Sequence, residues 1–427
     1  MPVIARILAL SIVAGLLSGV AISFYVLATE YLTKLLFAGD PYDTAQSLPI
    51  WYLYLVPTLA ILLVNYLNGL HPSVREYGVA EIAETVTGNK SFITLKGLFL
   101  KIIASILSLA SGFSVGNEGP SATIGAMIAY KLKPFFAIPE RFVHLILSIG
   151  ASSGIAAVFV SPITGIVFAI ENIAYRYVKR AIGPIILGAA IAFAIASQLL
   201  DPILFRYSVE HVFHFENFLS RLLFIPVILA FLFLYLMLKN HFLGYLNTLL
   251  SPKLGRYRKL FFALIGGLSI GTILTLAPLA AFSGHELVIS LINETFNIPI
   301  SFIVIIILLR ILSTALSIYA NAVGGLFLPL MSIGALVGYG YAEVISGLGL
   351  AAEPYSFAAI GAAVFMGVVM HLPLTAIILA LEITYDYNIV VPTAVIVVIT
   401  SYISTMTFDI EKLKATKIRA RKRMQVK

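Results

Sequence analysis

The stretch Ser114-Val-Gly-Asn-Glu-Gly-Pro-Ser-Ala-Thr-Ile-Gly125 lies deep inside a very apolar chain. It places an acid, Glu118, between two glycines, with Pro120 directly after them. Gly116 and Gly119 permit a tight turn, and Pro120 suits the first turn of a new helix, where its missing N–H costs nothing. The stretch therefore reads as a break between two helices. The second helix starts with unpaired N–H donors and a partial positive charge.

The surroundings make that break unusual. Of 427 residues, 60% are hydrophobic and only 11% charged. Soluble domains are roughly half apolar and a quarter charged. The excess cannot be hidden in a water-soluble core, so the chain reads as an all-α polytopic membrane protein. Apolar blocks run from Ile7–Leu27 through Trp51–Leu67, Leu98–Val115, Phe142–Ile170 and Ile182–Leu200 to Leu219–Leu238. They continue at Leu260–Phe282, Ile300–Ala320, Leu326–Ile345, Phe357–Leu381 and Ile389–Phe408. Each approaches or exceeds the ~20 residues that cross the hydrocarbon as a helix. Strand alternation is absent, which excludes a barrel. The first block carries no signal-cleavage pattern and reads as the first membrane helix.

The net charge of +8 reflects basic residues flanking membrane helices, and no nucleic-acid partner is expected. Arg176, Lys179 and Arg180, then Lys253, Arg256, Arg258 and Lys259, and the terminal Lys412–Lys427 read as cytoplasmic. The segments with Asp40 and Asp43, with Asp201, Glu210 and Glu216, and with Glu286 and Glu294 read as external. The expected location is the cell (inner or plasma) membrane, with the C-terminus cytoplasmic. Residues 411–427 form a short basic tail near anionic lipid heads. With no cysteine, disulfide and zinc–thiolate chemistry are excluded. The seven histidines form no metal-spaced cluster, and no cofactor is expected. A membrane-embedded enzyme would need a nucleophile or metal constellation that these residues do not supply.

The two halves of the chain match. Lys101–Ala126 lies on Arg310–Ala335 with an offset of 209 (325 − 116), pairing Lys101 with Arg310, Ser108 with Ser317, Gly116 with Gly325 and Pro120 with Pro329. Gly150–Glu171 lies on Gly361–Glu382 with an offset of 211 (361 − 150), pairing Pro162 with Pro373 and Glu171 with Glu382. This predicts two repeat halves, 1–205 and 206–410. Paired bundles with a site between them near the midplane are a transporter pattern. If each half crosses the membrane an odd number of times, Gly116–Pro120 and Gly325–Pro329 reach the same depth from opposite sides. Two helix N-termini aimed at one point bind an anion without a full countercharge, which would hold it too tightly for passage. Glu118 then acts as a competitor. Ionised, it occupies the anion's place; protonated or displaced, it admits the anion. Lys101 and Arg310 either raise the potential along that path or snorkel to an interface.

These residues resemble the CLC family of chloride channels and proton/chloride antiporters over most of the chain. The family's G-(R/K)-E-G-P appears as Gly116-Asn117-Glu118-Gly119-Pro120, and its G-x-F-x-P as Gly325-Leu326-Phe327-Leu328-Pro329. Gly150–Asn172 looks like its G-A-x-x-G-x-x-A-x-F-x-x-P-x-x-G-x-x-F-x-x-E stretch. The resemblance implies a CLC-type inverted repeat with broken intramembrane helices, assembled as a homodimer in the bilayer. It implies Glu118 as gate, and an anion-binding set of Asn117, Gly119, Pro120, Leu326, Phe327 and Leu328. The fluoride-exporting branch departs from the proline and the phenylalanine that this chain keeps.

Three positions depart from the family pattern. Its G-S-G-I-P aligns on Glu76-Tyr77-Gly78-Val79-Ala80, so Tyr77 and Gly78 stand at the inner anion site, with a bulkier hydroxyl donor. Its internal proton-transfer glutamate is Asn172, which does not titrate. Glu171 points about 100° away from that position on a helix, so it reads as a packing acid paired with a nearby base, like Glu382. Its late tyrosine has no counterpart in Thr405–Ala415, where Phe408 or Glu411 stands nearest. These departures favour a passive or weakly proton-coupled chloride channel. Proton-coupled chloride antiport is the alternative, since some members couple protons through water without the internal acid.

Overall fold

The computed structural model describes residues 2–71, 74, 94–174, 178–200, 220–293, 295, 299–350 and 352–425, with side chains described as far as 407 except at 174, 178–181, 241, 242, 246, 247, 251–253 and 256. Tyr77, Gly78, Arg176, Asp201, Glu210, Glu216 and Glu294 lie outside the described residues, as do the side chains of Lys179, Arg180, Lys253, Arg256, Phe408 and Glu411.

The first half contributes α1 (Val3–Phe37), α2 (Ile50–Leu70), α3 (Leu95–Ala110), α4 (Glu118–Leu132), α5 (Val143–Phe159), α6 (Pro162–Ala169) and α7 (Val178–Ala196). The chain continues through α8 (Phe224–Leu236), α9 (Gly244–Leu254), α10 (Arg258–Leu276), α11 (His285–Ile292) and α12 (Ile300–Tyr319). It closes with α13 (Phe327–Gly347), α14 (Pro354–Met370), α15 (Pro373–Thr384) and α16 (Tyr387–Gln425). Among the described residues, eight helices are long and apolar enough to cross a membrane. Large apolar side chains such as Phe24, Leu59, Leu268 and Ile305 stand exposed on them, where lipid takes the place of a core.

The repeat seen in sequence becomes two matching runs, α3–α6 and α12–α15. Apolar blocks that read as single spans are here two helices each. Phe142–Ile170 is broken at Val160 and Phe357–Leu381 at His371, both left-handed, with φ of 48° and 58°. A β-branched valine with positive φ is strained. It terminates α5 so that Pro162 can start α6 in a new direction, and His371 and Pro373 repeat the arrangement. Within each run, glycine faces glycine. A Cβ on Gly125 or Gly150 would collide with the backbone of the other, as would one on Gly334 or Gly361. The backbones of α4 and α5, and of α13 and α14, therefore meet directly, as small residues allow in membrane helix pairs.

The two runs are tied by an exchange of carboxylates. Glu171 Oε1 accepts from Leu374 N (2.9 Å), and its Oε2 accepts from Thr375 N (2.9 Å) and Thr375 Oγ1 (2.7 Å). Glu382 does the same in reverse, accepting from Ile163 N (3.0 Å), Thr164 N (2.6 Å), Thr164 Oγ1 (2.7 Å) and Ser161 Oγ. Each half thus supplies the acid that caps a helix of the other half. The partner expected for Glu171 was a base; the structure gives it a helix N-terminus, whose unpaired N–H groups and dipole stabilise an anion. Asn172 sits beside it in a π-helical turn, Ile170–Ala174, that extends α6.

Removing one cap leaves buried N–H donors unpaired. Glu382→Ala is expected to cost about 1–3 kcal/mol, read as a lower melting midpoint in detergent, with Glu171→Ala shifting it the same way.

Candidate functional site

The two broken helices meet at one backbone bridge. Gly116 N donates to Gly325 O (2.7 Å), and Gly325 N donates to Gly116 O (2.5 Å). The pairing is antiparallel. Directly beyond it, α4 starts at Glu118 after Asn117, and α13 starts at Phe327 after Leu326. Both helix N-termini therefore open beside the same two glycines.

A second layer repeats the symmetry. Ser114 N donates to Ser317 Oγ (3.0 Å), and Val323 N donates to Ser108 Oγ (3.0 Å). Positions matched in the repeat thus exchange hydrogen bonds across its axis. The Ser114 and Thr314 hydroxyls, 2.8 Å apart, add a contact between α12 and the turn after α3.

Glu118 fills the space between the termini. Its residue is 3% exposed, and its Oε1 accepts from Leu328 N (3.0 Å), a first-turn donor of α13. Its Oε2 is buried without a hydrogen-bond partner. A Cβ on Gly116 or Gly325 would strike the carboxylate, so these glycines create its seat. Phe327 packs on Phe159 with ring centroids 4.7 Å apart, closing one side. Behind Leu328 lies a cavity of about 240 Å³, walled also by Phe159, Ser161, Glu382 and Tyr385.

The structure brings together Asn117, Glu118, Gly119, Pro120, Leu326, Phe327 and Leu328. Glu171 and Asn172 stand apart from them, at the α15 terminus. Lys101 and Arg310 are 1% and 0% exposed, so neither snorkels. Arg310 Nε donates to Ser332 Oγ (2.8 Å) on α13, and its Nη1 donates to Ala281 O. The sequence alone assigns no role to Ser114 or Thr314. Their only signal is that Ser114 follows a helix so closely paired, through Ser108 and Ser317, with its repeat mate.

Paired helix termini, with a carboxylate seated on one of them, make a place that favours negative charge. A family model described as voltage gated chloride channel matches residues 56–405. The chain belongs to the voltage gated chloride channel family. It is a multi-pass membrane transport protein of that family, not an enzyme. A Ralstonia nicotianae protein named as ClcB-like among chloride channels is 27% identical over 84% of this chain and 84% of its own length. The H(+)/Cl(−) exchange transporter ClcA of Vibrio vulnificus is 24% identical over 90% of this chain and 84% of its own. The crystal structure of a slow cyanobacterial Cl−/H+ antiporter shares the fold, with a TM-score of 0.82 at 21% identity, covering 94% of this chain and 95% of that one.

A methyl group at position 325 competes with the Glu118 carboxylate for the same space. Gly325→Ala is expected to raise chloride flux at pH values where the carboxylate is ionised, measured as efflux from proteoliposomes.

Proposed function

We propose that this protein exchanges chloride for protons across the cell membrane, with Glu118 as both gate and proton carrier. The observation that carries the reading is the seat of Glu118. Its ionised carboxylate takes the Leu328 N–H that an incoming anion would use. Protonation removes the charge that holds it at two positive helix ends, and chloride then takes its place among the backbone donors of Asn117–Pro120 and Leu326–Leu328. Passage of the anion and protonation of the carboxylate are tied to one point, which is the elementary condition for exchange. The similarity to proteins named H(+)/Cl(−) exchange transporters, over 90% of the chain, also favours exchange.

The channel reading keeps one observation in its favour: Asn172 stands where the family's inner proton-transfer acid would be, and its neighbour Glu171 is engaged with α15. The halves 1–205 and 206–410, the basic tail 411–427 on the cytoplasmic side, and a homodimer as the assembled form belong to the same proposal. Tyr77 and Gly78 remain assigned to the inner anion site.

In proteoliposomes with an outward chloride gradient, exchange predicts proton uptake against the proton gradient when valinomycin and potassium carry the balancing charge. A reversal potential that follows chloride alone, at every pH, overturns exchange in favour of the channel. Glu118→Gln is expected to remove the pH dependence of chloride flux; a variant that still titrates like wild type takes Glu118 out of the gate.

A further inference from the structure

With Asn172 unable to carry a proton, Glu118 needs another group that can. Tyr25, on α1, is 4% exposed, and its hydroxyl lies 2.6 Å from Ser105 Oγ on α3, itself fully buried. The pair holds two hydroxyl protons, and their mutual hydrogen bond uses one of them. Neither oxygen makes a further hydrogen bond among the described residues, so one buried O–H donor is left over. Glu118 Oε2 is its complement, a buried acceptor with no donor.

A chain of contacts places the pair near the carboxylate. Ser105 is three residues before Ser108, about 4.5 Å along the helix. Ser108 Oγ takes the Val323 N–H, and Val323 leads into the Gly325–Gly116 bridge beside Glu118. Helix α1, which carries Tyr25, also packs against α4, whose first residue is Glu118. On the far side, Lys101 lies four residues before Ser105 on the same helical face and is 1% exposed.

We propose that the Tyr25–Ser105 hydroxyl pair is the proton-transfer station that serves Glu118 in this chain. The proposal rests on the exchange reading of Glu118. In the transfer, the spare hydroxyl proton reaches Glu118 Oε2 through an intervening water, each O–H bond formed being matched by one broken. The remaining hydroxyl proton shifts along the 2.6 Å contact, and water at the Lys101 end of α3 returns one proton to the pair. No tyrosinate persists, nothing is oxidised, and one proton is delivered for each carboxylate neutralised.

The test compares proton and chloride movement in the same proteoliposomes for wild type, Tyr25→Phe and Ser105→Ala. Tyr25→Phe keeps the ring and deletes the hydroxyl. It is expected to lower proton uptake relative to chloride turnover by about tenfold or more, as loss of a positioned proton-transfer group does. A packing role would slow both movements together and leave their ratio at the wild-type value. Wild-type coupling with an unchanged ratio in Tyr25→Phe overturns the station and leaves exchange standing. Wild-type chloride flux without proton uptake overturns exchange, and the station with it. Should Tyr25→Phe fail to elute as the folded protein on size exclusion, Ser105→Ala takes its place: a lowered ratio supports the station, and an unchanged ratio overturns it.

Discussion

The two hydrogen bonds between Gly116 and Gly325 are the constraint on which the rest of this structure depends. They hold two interrupted helices nose to nose inside the protein, so that unpaired N–H groups from both repeats face one small volume. Bare helix ends buried in this way would be costly, because nothing in hydrocarbon can satisfy them. The surrounding architecture answers that cost. Ser108 and Ser317 each accept a backbone N–H from the opposite repeat, and Glu118 covers the α13 terminus. The glycines are required because any side chain at either position would occupy the carboxylate's seat.

The same handling of buried charge recurs one layer out. Glu171 and Glu382 are exchanged between repeats, each neutralising the helix end that the other half leaves open. A carboxylate held by several donors is fixed in place. Glu118 differs in having one oxygen bound and one free. That asymmetry sets Glu118 apart from the two capping acids. These three carboxylates divide by the number of donors each has.

Much of this was legible in the chain. The paired Gly-x-x-x-Pro motifs, the acid between two glycines and the matched offsets predicted the broken helices and their convergence. What stayed hidden depends on long-range contacts. Glu171 read as a packing acid because its donor partners, Leu374 and Thr375, lie some two hundred residues on. Phe142–Ile170 read as one span because nothing in its apolar run announces that Val160 turns left-handed. Lys101 and Arg310 suited either a path or an interface, and only packing shows both enclosed. Tyr25 carried no signal at all, being one tyrosine in an apolar helix until α3 set Ser105 against it.

The sequence by itself determined the class of the molecule, its internal repeat and the residues at its centre. Composition decides the solvent, while glycine, proline and an isolated acid act through local backbone chemistry that needs no distant partner. The tertiary structure decided which acids have several donors and which has one, which cations are enclosed, and which hydroxyls are paired. Those are properties of hydrogen-bond partners. A buried group's partner is set by how helices far apart in the chain come to rest against each other.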